Sequence, residues 1–87
     1  MNIDAEVSLY PLRSADLAEP IARFLGQLEQ AGLQVECGVM SSRVTGECAD
    51  LFRVLGDAFE KSAAESEVVL VMKVSNACCR HNMENQS

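Results

Sequence analysis

Ala5, Val7 and Leu9 alternate with Glu6, Ser8 and Tyr10. That period of two places the sets on opposite faces of a strand. One set can enter a core. The other carries a carboxylate, a hydroxyl and a phenol, an unusual surface for the centre of a small sheet. Pro11 has no ladder donor, so pairing should weaken there. After a loop over 12–15 the period changes. Leu17, Ile21, Phe24, Leu25 and Leu28 form one apolar stripe at helical spacing. Asp16 and Glu19 are spaced as a capping pair, and Pro20 is tolerated only in a first helical turn. Gly26 weakens the middle of this helix, and Gly32 marks its end.

Leu33, Val35, Cys37 and Val39 alternate with polar or small neighbours and with Met40, predicting a second half-buried strand over 33–40. Ser41-Ser42 is a turn candidate, and 43–46 reads as a short third strand, so the middle of the chain is a hairpin. It lacks the Asn-Gly or Asp-Gly signal that fixes a turn type. A second helix begins around 47–50, with the stripe Leu51, Val54, Leu55, Ala58 and Phe59. Lys61 lies near its predicted end, where a cation suits the dipole. A polar connection over 63–67 follows. Residues 68–74 are apolar at nearly every position, and a strand apolar on both faces is one covered on both faces.

The element order is strand, helix, strand, strand, helix, strand. It predicts an α+β class: a ferredoxin-like βαββαβ sandwich, a four-stranded antiparallel sheet with two helices on one face. In the strand order 4-1-3-2 the first strand is central. The face without helices would carry Glu6, Ser8, Tyr10, Glu36, Met40, Thr45, Val69, Val71, Lys73 and Ser75. Val69, Val71 and Met40 make too apolar a patch to leave in water, which points to a homodimer or a dimer of dimers.

Composition narrows the function classes. At 87 residues and 48% apolar, the chain suits one globular domain, expected over 1–79, with a polar, unpatterned tail over 80–87. A net charge of -6 argues against a nucleic-acid partner, which needs clustered cations. No apolar run approaches the roughly 20 residues that span a bilayer, so no membrane insertion is expected. The N-terminus shows no basic region followed by an apolar run, so the expected location is cytoplasmic and the four cysteines are expected as thiols. Cys37 and Cys48 should be buried. Cys78, Cys79 and His81 offer soft metal ligands, but adjacent cysteines lack the spacing of structural zinc sites and no second pair exists. No metal or cofactor is therefore expected. Nothing orients His81 for cysteine–histidine catalysis, and no phosphate-cradling glycine loop is present.

Four segments carry a resemblance: residues 6–12 (EVSLYPL), 33–41 (LQVECGVMS), Gly46 before the second helix, and 74–77 (VSNA). In this order they resemble the YkoF-related family, over roughly residues 5–77. The family belongs to a superfamily of thiamin-binding-like domains with a ferredoxin-like fold, and its members bind thiamin or its hydroxymethylpyrimidine moiety, often with two domains in tandem. The resemblance implies a non-catalytic binding module serving pyrimidine or thiamin uptake or salvage, with two single-domain chains supplying what a tandem supplies.

An aminopyrimidine needs a stacking surface and a few positioned donors and acceptors. Tyr10 and Met40 would supply the first. Glu6, Ser8, Ser42 and Thr45, with Ser75 and Asn76 at the end of the last strand, would supply the second. The competing reading of each is bland: a solvated or partner-covered sheet face, a polar turn, a strand-ending asparagine. Ser75 is expected at the opposite end of the sheet from the hairpin tip. Two rivals stand beside ligand binding. One is a regulatory domain whose open face only mediates assembly. The other, ranked last, is an enzyme on the same fold, for which only Glu6, Glu36 and Tyr10 qualify as acid or base.

Overall fold

A computed structural model describes residues 1–13 and 15–77. The expected tail and the Cys78, Cys79 and His81 cluster lie outside the described residues. The elements are β1 (Asn2–Pro11), α1 (Ala18–Gln30), β2 (Gln34–Cys37), β3 (Ser42–Glu47), α2 (Cys48–Glu65) and β4 (Val68–Ser75). The sheet order is β2-β3-β1-β4, with every neighbouring pair antiparallel. This is the predicted ferredoxin-like α+β fold, with β1 central.

Alternation along β1 decides the layers. Ile3, Ala5, Val7, Leu9 and Pro11 are buried under the helices. Val44 of β3 pairs with Ala5 and joins them, and Phe24, Leu28, Leu51, Leu55 and Ala58 close the core from the helices. Phe24, Leu28, Leu51 and Val44 are the largest fully buried side chains. Each stabilises the fold by about 1.5–3 kcal/mol through removal from water.

Helix α1 ends as the sequence requires. Gly32 takes φ 99°. Its N–H bonds the Glu29 carbonyl at 3.0 Å, and the Leu33 N–H bonds the Leu28 carbonyl at 3.2 Å. These two bonds are a Schellman cap, and its apolar contact is the buried pair Leu28 and Leu33. The start differs from expectation. Leu17 is the capping residue, half-exposed and outside the helix, with no side-chain cap bond. Asp16 instead accepts the Ala18 N–H at 3.1 Å, and Pro20 sits in the first turn. Helix α2 starts on Glu47, whose carboxylate accepts from the backbone N–H groups of Ala49 at 3.0 Å and Asp50 at 3.4 Å. It runs to Glu65, through half of the predicted polar connection, so Lys61 falls short of its last turn.

The hairpin also differs. Strand β2 is only Gln34–Cys37, and the turn is Gly38–Ser41 rather than Ser41-Ser42. The Gly38 N–H bonds the Ser41 carbonyl at 2.9 Å and closes this flap. Ser42 is thereby drawn into β3 opposite Val7 and Cys37, on the helix side, where it is buried. Met40 leaves the strand and is 86% exposed. Cys37, expected buried, is exposed because β2 is the sheet edge, and Cys48 is half-buried.

Candidate functional site

Two depressions meet at the flap, and register explains both. Strand β3 begins at Ser42, which pairs with Val7. Beyond Val7, residues 8–11 pair only with β4, so their other edge has no strand beside it. A cleft of about 360 Å³ occupies that gap, within the range of small-molecule pockets. Its apolar wall comes from α1 and its approach, with Leu17, Ile21, Phe24 and Leu25. Ser8, Tyr10 and Ser42 supply hydroxyls, and Met40 and Val39 form the flap side. Four sequence candidates, Ser8, Tyr10, Met40 and Ser42, therefore share one cleft.

The second depression, about 650 Å³, is a charged groove on the open sheet face. Register lays one row across all four strands: Glu36, Arg43, Glu6 and Lys73, alternating in sign. Arg43 pairs with Glu36 at 3.7 Å and with Asp4 at 3.3 Å. Among the described residues Lys73 has no ion-pair partner. The next row holds Thr45, Asp4 and Ser75, where the Thr45 hydroxyl donates to Asp4 at 2.7 Å. The Ser75 hydroxyl accepts the Ala77 N–H at 3.0 Å.

The flap is the shared wall, since Gly38 and Ser41 line both depressions. Two open-face side chains hold it. The Ser41 hydroxyl donates to Glu6 at 3.0 Å, and the Ser8 hydroxyl donates to the Met40 carbonyl at 3.4 Å. Glu6 and Ser8 thus tether the hairpin. A Cβ on Gly38 would stand 2.5 Å from the Ser41 carbonyl oxygen, so this close approach requires glycine.

The remaining candidates separate. Glu6 and Ser75 line the groove, whereas Thr45 reaches it only through its bond to Asp4 and lines a separate depression of about 400 Å³ with Gln34 on the β2 side. Asn76 follows β4 and lines neither main depression. Ser75 is closer to the hairpin than expected: its partner Asp4 is three residues along β1 from the partner of Ser42, roughly 10 Å. Consequently Ser75 and the flap's Ser41 border one groove. The α1 wall of the cleft was missed. Its one signal was Leu17, an apolar residue just ahead of the helix. Among the described residues no group of three or more His, Cys, Asp or Glu is placed to hold a metal ion, and no helix is long and apolar enough to cross a membrane.

Tyr10 is half-exposed, so its ring is available at the cleft mouth. The site can hold a flat ring against apolar side chains while hydroxyls address its edge. Glu47 caps α2, away from both depressions. The Asp50 backbone N–H, then the N-terminal ammonium and the Ala49 N–H, hold its carboxyl below the ordinary value, while desolvation opposes them.

No curated protein matches this chain. Three solved structures share the fold. A hypothetical protein from Methanocaldococcus jannaschii is 21% identical with TM-score 0.79, the match covering 86% of this chain and 79% of that one. A domain of unknown function from Bacillus cereus is 20% identical with TM-score 0.74, covering 86% and 75%. A candidate thiamine biosynthesis/salvage protein from Thermotoga maritima is 17% identical with TM-score 0.78, covering 86% and 83%. The model of the YkoF-related family matches residues 2–81, nearly the whole chain, and the chain belongs to that family.

Proposed function

We propose that this protein binds thiamin or its hydroxymethylpyrimidine moiety, without catalysis, in the cleft between β1, the flap and α1. One observation carries the reading: Ser8, Tyr10 and Ser42 line one cleft with Leu17, Ile21, Phe24 and Leu25, in the gap where β3 stops. Family membership and the similarity to the Thermotoga maritima protein support the ligand class. Tyr10 stacks on the pyrimidine, Ser8 and Ser42 bond its edge, and Met40 closes over it. Glu6, Thr45, Ser75 and Asn76 are outer contacts, reached only by a ligand that extends past the flap into the groove. The setting is a cytoplasmic domain over residues 1–79 serving uptake or salvage. Two copies associate through the open sheet face, where Val69 and Val71 are 44% and 48% exposed.

Calorimetric titration with thiamin and with hydroxymethylpyrimidine tests the reading. Ser8→Ala should weaken binding by roughly tenfold, the value of one hydrogen bond whose partner is left unsatisfied. Tyr10→Ala should weaken it further, because stacking area is lost as well. Wild-type binding by both variants would move the ligand out of this cleft. No heat with either compound would leave an assembly domain as the function.

A further inference from the structure

The gap beside residues 8–11 exposes main chain as well as side chains. In an antiparallel strand the N–H and C=O of one residue point to the same side, and the next residue points them the other way. Three observations fix the phase of β1. The Leu12 N–H bonds the Glu67 carbonyl at 2.9 Å, one step past the Pro11–Val68 pair, so Leu12, Tyr10 and Ser8 turn toward β4. The Cys48 N–H bonds the Met1 carbonyl at 2.9 Å, one step past the Asn2–Glu47 pair, so Met1, Ile3, Ala5 and Val7 turn toward β3. Pro11 has no N–H and still lies in the ladder with β4, which suits a position that faces away from β4. Leu9 and Pro11 therefore turn toward the gap.

The register that sets Ala5 against Val44 and Val7 against Ser42 would set Leu9 against Met40. Met40 lies in the flap turn instead, so among the described residues the Leu9 N–H and C=O have no partner. Leu9 is buried and lines the cleft. A buried main-chain donor and acceptor are costly to leave unpaired, and a ligand in the cleft can satisfy both. We infer that the main chain of Leu9 reads the pyrimidine: its N–H donates to a ring nitrogen, and its C=O accepts from the exocyclic amine beside that nitrogen. An aminopyrimidine presents this acceptor and donor side by side, as a neighbouring strand would. The ring then lies in the plane of the sheet, where β3 stops. One of its faces meets Ile21, Phe24 and Leu25, and the other meets Tyr10 and Met40. The inference rests on the cleft binding an aminopyrimidine, as proposed above, and makes a demand that the hydroxyls do not. Ser8 and Ser42 can each donate or accept. The Leu9 pair has fixed polarity, so it selects an amine over a carbonyl at that edge.

Calorimetry with thiamin and with its oxo analogue tests the selection. In the analogue a carbonyl replaces the amine and the adjacent ring nitrogen carries a proton, so both polar atoms are reversed. It should bind at least about a hundredfold more weakly than thiamin. That ratio should persist in Ser8→Ala even as both affinities fall, because the reader is main chain. Amide hydrogen exchange of the wild-type protein locates the contact. Saturating thiamin should slow exchange at Leu9 by about tenfold more than at Ser8 and Tyr10, whose N–H groups already face β4. Three results each overturn the inference while leaving thiamin binding in place: equal affinity for thiamin and the analogue, a ratio that collapses in Ser8→Ala, or a Leu9 exchange rate that bound thiamin does not move. Binding of neither compound overturns this inference and the proposed function together.

Discussion

Gly38 offers a sharp perturbation, because sterics alone decide its replacement. Its φ lies outside the left-handed region, so alanine meets no backbone penalty there. The added methyl, however, would stand 2.5 Å from the Ser41 carbonyl oxygen, a backbone atom that no rotamer change can move. The flap must open. The Gly38–Ser41 bond of 2.9 Å is strained or lost, at about 0.5–1.5 kcal/mol. The exposed tethers from Ser41 to Glu6 and from Ser8 to Met40 weaken with it, adding a few tenths of a kcal/mol. Gly38→Ala should therefore destabilise the domain by about 1–2 kcal/mol, with roughly 4–8 °C of Tm lost per kcal/mol. Gly26→Ala is the control of opposite sign. Apart from the backbone of α1 itself, nothing lies within 4 Å of the point where its added methyl would stand, so it should gain about 0.5–1 kcal/mol from helix propensity. Urea denaturation of both variants, followed by circular dichroism, measures the contrast. A neutral or stabilising Gly38→Ala would refute the tethered flap. A destabilising one with unchanged thiamin affinity would separate the flap from the binding site.

The other predictions rest on the core and on the α2 cap. Leu28→Ala removes a side chain with no exposed surface and should cost about 2–5 kcal/mol, most of the stability of so small a domain; a loss under 1 kcal/mol in urea would contradict the packing. The Glu47 carboxyl is held below its ordinary value of 4.5 in the folded chain, so its contribution is present above that value and lost as pH falls through the lower folded value. Wild-type urea midpoints should thus fall on acidification, and Glu47→Gln should flatten that part of the profile; an unchanged slope would refute the cap.

Period-two alternation over 5–10 and the helical stripes around Phe24 and Leu51 carry the fold by themselves. They specify which faces are apolar, and a βαββαβ order of such faces leaves few ways to bury them. The Gly32 stop is equally local, since one residue takes the left-handed turn and the next, Leu33, returns to the core. The hairpin was not legible. Moving the turn from Ser41-Ser42 to Gly38–Ser41 depends on a long-range fact: Val7 on β1 takes Ser42 as its partner. That register buried Ser42, released Met40 and left residues 8–11 without a neighbour on one side, which is how the cleft arises. The candidates Ser8, Tyr10, Met40 and Ser42 were readable as residue types, but only packing against α1 gathered them in one place. The alternating row of Glu36, Arg43, Glu6 and Lys73 is likewise invisible along the chain. Its members come from four strands, and only cross-strand register sets them side by side.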